Sequence, residues 1–188
     1  MLRFKNEKEI ELLRKSNFLV SLALAELAKH IEPGITTSYL DSIAESFIRD
    51  NGAVPAFKGY NGFPATLCTS LNDTVVHGIP SNEVLKEGDI ISIDCGVILN
   101  GYVGDSAFTF PVGEISEEAA KLLEYTRTSL EEGIQKAVAG NRIGDVSHAV
   151  QKKAESGGFS VVREFVGHGI GKKMHEPPEV PNFGRQGT

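Results

Sequence analysis

The sequence predicts an α+β fold. Amphipathic helical stretches come in pairs toward either end of the chain, and one long antiparallel hairpin lies between the pairs. At 188 residues the chain is about one domain long, enough to bury roughly 70% of its unfolded surface. Residues 1–188 are accordingly read as a single domain.

The first helix opens at Asn6, with Glu9 three residues on as its capping partner. Ile10, Leu13, Asn17, Val20, Leu24, Leu27 and Ile31 then recur at spacings of three and four, and Pro33-Gly34 closes the run. A second helix is expected from about Thr37 to Asp50, with Leu40, Ile43 and Phe47 inward and Asn51-Gly52 as its stop. Residues 53–89, broken by Gly and Pro, read as short strands and loops. Ile90–Leu99 and Tyr102–Pro111 flank Asn100-Gly101, the strongest short hairpin signal. A third helix is expected over about Ser116–Ala139, with Glu117 and Glu118 suiting its first turn. A fourth follows from about Ile143 to Ser156, stopped by Gly157-Gly158. The segment from Phe159 onward reads as a strand and then a Gly-rich loop.

A faint repeat links the halves. Gly34–Gly52 and Gly140–Gly158 share one frame, in which a glycine, a short loop and an amphipathic helix lead to a glycine stop. If the offset holds, the counterpart of the hairpin falls beyond residue 188, so the second half reads as unfinished.

Bulk properties remove several classes. A net charge of −6 and a pI near 5.4 argue against non-specific nucleic-acid binding. No apolar run reaches the roughly 18 residues of a membrane span. The N-terminal stretch mixes charged with apolar residues and lacks a signal peptide's apolar core. Two cysteines, Cys68 and Cys95, are too few for a disulfide framework and read as free thiols in a reducing cytoplasm.

The hairpin carries the chemistry. A two-residue turn at Asn100-Gly101 sets Gly96 opposite Asp105 and Asp94 opposite Ala107. Asp94 and Asp105 thus become diagonal neighbours on one face, roughly 7–8 Å apart at the backbone. The other face carries Ile91, Ile93, Phe108 and Phe110 and suits a core. Buried like charges are costly unless paired or metal-bound, and Gly96 is expected to leave open space beside them. Two solvent-facing aspartates remain the plain alternative. A second cluster, Gly167-His168-Gly169-Ile170-Gly171 with His175 beyond it, offers imidazoles between glycines. A Gly-rich loop with an incidental histidine is equally compatible with that pattern. His77 is expected at the end of a short strand, a position that is usually structural. Carboxylates with an imidazole suit Mn, Fe, Co or Zn.

In order and spacing, Asn72-Asp73-Thr74-Val75-Val76-His77-Gly78-Ile79-Pro80, Ile93-Asp94 with Gly104-Asp105, the Gly167–Gly171 cluster and Met174-His175-Glu176 resemble bacterial-type (type I) methionine aminopeptidases of the M24 metallopeptidases. The resemblance implies a pita-bread fold, a curved antiparallel sheet flanked by helices in two pseudo-symmetric halves. It implies two divalent metal ions, with Asp94 a chelating ligand of one, Asp105 bridging both and His168 binding the other. His77 and His175 would serve the scissile amide and the tetrahedral intermediate. Tyr60, Phe63 and Cys68 would line an apolar methionine pocket. The implied reaction is metal-assisted hydrolysis releasing the initiator methionine when the next residue is small. Implied partners are nascent-chain N-termini and the ribosome, with no membrane or nucleic acid, for a monomer. Relatives draw two further glutamate ligands from strands downstream of Phe183-Gly184-Arg185-Gln186-Gly187, so the chain is expected to be C-terminally truncated. Two other readings are a proline-directed peptidase of the same fold, and a non-catalytic scaffold.

Overall fold

The computed structural model describes residues 3–188, which divide into two compact units: Arg3–Ile115 with Ile170–Met174, and Ser116–Gly169 with His175–Thr188.

In the first unit, α1 (Glu7–Ala28) and α2 (Thr37–Asp50) cover a four-stranded antiparallel sheet of β1 (Val54–Pro55), β2 (Leu67–Leu71), β3 (Ile90–Leu99) and β4 (Tyr102–Pro111). The α1 cap forms as expected: the Asn6 Oδ1 accepts from Glu9 N–H, and Asn6 N–H returns to the Glu9 carboxylate, both at 3.0 Å. The helix stops at Ala28, short of Ile31, and Lys29 and His30 bond back to its last carbonyls. α2 and both hairpin strands run over the residues expected.

β3 is the central strand. It pairs with β1 and β2 along one edge and with β4 along the other, with Gly96 opposite Asp105 and Asp94 opposite Ala107. One face of the sheet is apolar: Leu67, Ile91, Ile93, Cys95 and Val97 pack against Val20, Ala23, Leu24, Leu27, Leu40, Ala44 and Ile48 of the two helices. Phe110 joins this core, but Phe108 does not. It is 49% exposed and lies against Phe110 at 4.8 Å.

Near the hairpin turn α1 and β4 approach closely. A methyl group at Gly104 would come within 2.5 Å of the Ser16 backbone, while the Ser16 hydroxyl donates to the Tyr102 carbonyl at 3.0 Å. Replacing Gly104 with alanine is therefore expected to push α1 off β4 and destabilise the protein by about 1–3 kcal/mol, the usual cost of overpacking. Chemical denaturation would check this, and a change below about 0.5 kcal/mol would contradict it.

In the second unit, α3 (Glu117–Lys136) and α4 (Ile143–Ser156) pack together, and β5 (Gly167–Gly169) pairs with β6 (Glu176–Val180). Gly133 admits Val146 and Val150 of α4, and Gly157 lies against the Tyr125 ring. α4 spans the expected residues, whereas α3 ends early, at Lys136. The strand expected from Phe159 is absent. Residues 162–166 are exposed, and Asn182 Nδ2 holds Val162 and Phe165 through their carbonyls, so no partner strand gives the β-branched run a ladder.

The repeat frame survives in backbone detail. α2 and α4 are each 14 residues long, and the glycines bounding them, Gly34, Gly52, Gly140 and Gly158, all have positive φ.

Candidate metal centre

The polar face of the sheet is built in rows. Cys68 of β2, Asp94 of β3 and Ala107 of β4 stand side by side, and Ser70, Ser92 and Thr109 form the next row. Asp105 flanks the first row on its other side, opposite Gly96. Alternation in β3 sends Ile91, Ile93 and Cys95 into the core and turns Asp94 the other way. The space beside Gly96 is filled rather than open: the Phe57 ring lies where a side chain would begin, with Cε1 2.4 Å from the position of a Cβ. Phe57 thereby occupies the sheet face beside Gly96, in the row that carries Asp105.

The two acids share a hydrogen bond, which requires that one of them keep its proton. Burial is the largest cause raising the Asp94 carboxyl, and the nearby Asp105 charge and that shared bond raise it further. Beside them, burial and then the charges of Asp94 and Asp105 push the Cys68 thiol up to about 12. Cys68 and Cys95 are both free and buried, as the cysteine count implied. Asp105 is also tied down from behind, since its N–H donates to Asn17 Oδ1 at 3.3 Å while Asn17 Nδ2 holds the Leu13 carbonyl at 2.9 Å. Asn17 is legible as the one amide within the apolar stripe of α1, although nothing in the spacing gives its partner.

His77 does not end a strand. It sits on an exposed loop with φ +62°, a left-handed conformation that histidine tolerates better than most residues. The loop is stapled to the free edge of β2: Thr69 N–H donates to the Gly78 carbonyl at 2.8 Å, and Gly78 N–H to Ser70 Oγ at 3.2 Å. A Cβ at Gly78 would lie 2.1 Å from the Thr69 carbonyl oxygen, so only glycine permits this approach. Tyr60 opens a short 3-10 turn, Tyr60–Gly62, and is 41% exposed, and Phe63 follows it half-buried.

In the second unit His168 and His175 come together, with ring centroids 4.2 Å apart. Gly169 fits between β5 and β6 only without a side chain, for a Cβ there would meet the Glu176 carbonyl oxygen at 2.7 Å. His168 Nδ1 lies 3.1 Å from the Gly169 carbonyl oxygen. Because a carbonyl only accepts, Nδ1 carries the proton in that bond, and the lone pair of a neutral ring lies on Nε2. Among the described residues no three His, Cys, Asp or Glu side chains form a metal-holding group.

Comparison with known proteins sets this geometry in context. The model for "Metallopeptidase family M24" matches residues 11–188. The methionine aminopeptidase of Clostridium acetobutylicum is 58% identical over 188 residues, covering 100% of this chain and 75% of its own length. Methionine aminopeptidase 1 of Bacillus subtilis is 53% identical over 184 residues, covering 98% and 74%. The crystal structure of methionine aminopeptidase from Rickettsia prowazekii superposes with a TM-score of 0.98 at 38% identity, over 100% of this chain and 76% of that one. The chain thus spans about three quarters of the length of these relatives.

Proposed function

The chain belongs to metallopeptidase family M24, and from that premise we propose that it is a methionine aminopeptidase with the pita-bread fold, hydrolysing the bond after an N-terminal methionine. The proline-directed and non-catalytic readings are not favoured by relatives at 53–58% identity that bear the methionine aminopeptidase name. The observation that carries the proposal is the hydrogen-bonded pair Asp94 and Asp105, half-buried on the polar face of β3 and β4.

That pair suits divalent cations. Two carboxylates held together at a cost in repulsion and desolvation are relieved when a cation replaces their shared proton. Asp94 and Asp105 would hold two divalent ions (Co, Mn, Fe or Zn), with His168 contributing Nε2 as a further ligand. When bound, such ions supply Lewis-acid polarisation and a water of lowered pKa.

The chain's own side chains supply the rest. Cys68, kept neutral by burial and its acidic neighbours, does not compete as a thiolate ligand, and with Tyr60 and Phe63 it presents an apolar, polarizable wall suited to a thioether. His77 would donate to the scissile amide, and its left-handed backbone, fixed through Gly78, sets the direction of that bond. His175 would stabilise developing charge on the carbonyl oxygen. A small residue after the methionine, nascent chains in the cytoplasm, ribosome contact and a monomeric state complete the reading.

Methionine release from a Met-Gly peptide, with Mn, Fe or Co supplied, tests it against Gly-Pro cleavage. Chelator-sensitive release of methionine alone is expected. Preferential Gly-Pro cleavage would overturn the assignment.

A further inference from the structure

We propose that Asp41 is a positioning residue for the methionine pocket, resting on the function just proposed. Asp41 lies on α2 next to Leu40, whose side chain is fully buried in the core. A half-buried carboxylate on a helix needs compensation, and its source is specific. One oxygen, Asp41 Oδ1, accepts from two consecutive main-chain N–H groups, Thr66 at 2.9 Å and Leu67 at 2.8 Å. Those two amides are where the chain leaves the pocket loop and enters β2.

The pocket side chains lie on both sides of that point. Upstream, the Gly59–Phe63 turn carries Tyr60 and Phe63 and is closed on itself by Gly59 N–H to the Phe63 carbonyl at 2.7 Å and Phe63 N–H to the Tyr60 carbonyl at 2.9 Å. Downstream, Cys68 follows Leu67 directly and stands opposite Asp94. The turn is internally closed, and β2 is held by β3. What joins them with a defined offset is the Thr66–Leu67 step, and Asp41 grips both of its N–H groups through one atom. The other groups facing Asp41 support the same loop: Lys58, which precedes the turn, pairs with Glu45 one turn along α2 at 2.6 Å, and Arg49 pairs with Glu45 at 2.8 Å.

Thr66 itself is fully buried, and its hydroxyl has no hydrogen-bond partner. The segment is thus held by main-chain bonds to Asp41 and not by its own side chain. Loss of the carboxylate frees the turn to shift against Cys68 and loosens the pocket's grip on an unbranched side chain. Asp94 and Asp105, fixed by the β3–β4 ladder, stay in place.

The test is equilibrium binding of methionine and of alanine to the Mn-loaded chain, compared among wild type, Asp41→Ala and Asp41→Asn, with amide exchange read at Thr66 and Leu67. Wild type is expected to prefer methionine. Asp41→Ala should lower that preference at least tenfold and speed exchange at both amides, with Mn affinity changed less than twofold. Asp41→Asn keeps an acceptor oxygen and should retain most of the preference, and it carries the test if Asp41→Ala does not fold. Asparagine behaving like alanine would assign the effect to charge and overturn the positioning role. Unchanged preference in Asp41→Ala would also overturn it. A wild-type chain with no methionine preference would instead sink the underlying functional reading.

Discussion

Asp105→Asn is expected to abolish methionine release and to weaken divalent-metal binding by at least about 100-fold, since partners that only support metal ligands are already worth about 10–100-fold. Asparagine has the shape of aspartate, so the strand register opposite Gly96 is retained. The Asn17 bond is also retained, because Asp105 gives it a main-chain N–H. What goes is one carboxylate of a pair built to hold a cation. The metal-free variant should be at least as stable as wild type, because the substitution removes a like charge from beside Asp94. Asp89→Asn is the control. Asp89 accepts from Asn72 Nδ2 and Lys86 N–H, both at 2.9 Å, in the turn before β3. Its loss should cost about 1 kcal/mol of stability and leave metal affinity unchanged. Isothermal titration with Mn reads both variants, and wild-type affinity in Asp105→Asn would remove the pair from the site.

How far the sequence announces this arrangement depends on how local each signal is. Asn100-Gly101 requires positive φ at both turn positions, and both have it, at +53° and +77°. That one turn sets the register of the whole β3–β4 ladder, and so puts Asp94 and Asp105 on one face from local information alone. The caps of α1 and α2 are equally local: Asn6 with Glu9, and Thr36 with Tyr39 N–H.

Apart from the ends of α1 and α3, the failures are long-range. Phe108 carries the right parity for the core, yet it stays exposed while Phe110, farther along the same strand, packs against the core. The Val161–Val166 run has strand-forming composition, but a strand exists only with a partner, and the pairing begins at Gly167. Gly96 suggests empty space because nothing in its neighbourhood points to Phe57. Asp41 is silent in the sequence for the same reason: its partners lie 25 and 26 residues away and are main-chain amides with no sequence signature. The glycines around His168, by contrast, stand out by composition alone, and Gly169 serves the fit of β5 against β6.

Metal affinity should rise with pH, by up to about tenfold per unit for each proton displaced. The sign follows from Asp94. An unfolded aspartate ionises near pH 3.9, whereas in the folded protein burial, the Asp105 charge and the shared bond raise the Asp94 carboxyl to about 8. Below about pH 4 both states hold the proton, and the pair costs the fold nothing. Between about 4 and 8 the folded state keeps a proton that the unfolded chain has released, so the metal-free protein loses stability as pH rises through that window. A divalent cation reverses the trend by taking the proton's place between the carboxylates. The decisive window is pH 7 to 8, approaching the value to which the Asp94 carboxyl is raised. Titrating Mn there in buffers of different ionisation enthalpy counts the protons released. Close to one is expected for wild type, and close to none for Asp94→Asn, whose metal-free form should also lose the stability decline between pH 5 and 8. Release of no protons by wild type at pH 7, with affinity flat to pH 8, would mean that the carboxylates are already ionised and that their shared bond plays no part in metal capture.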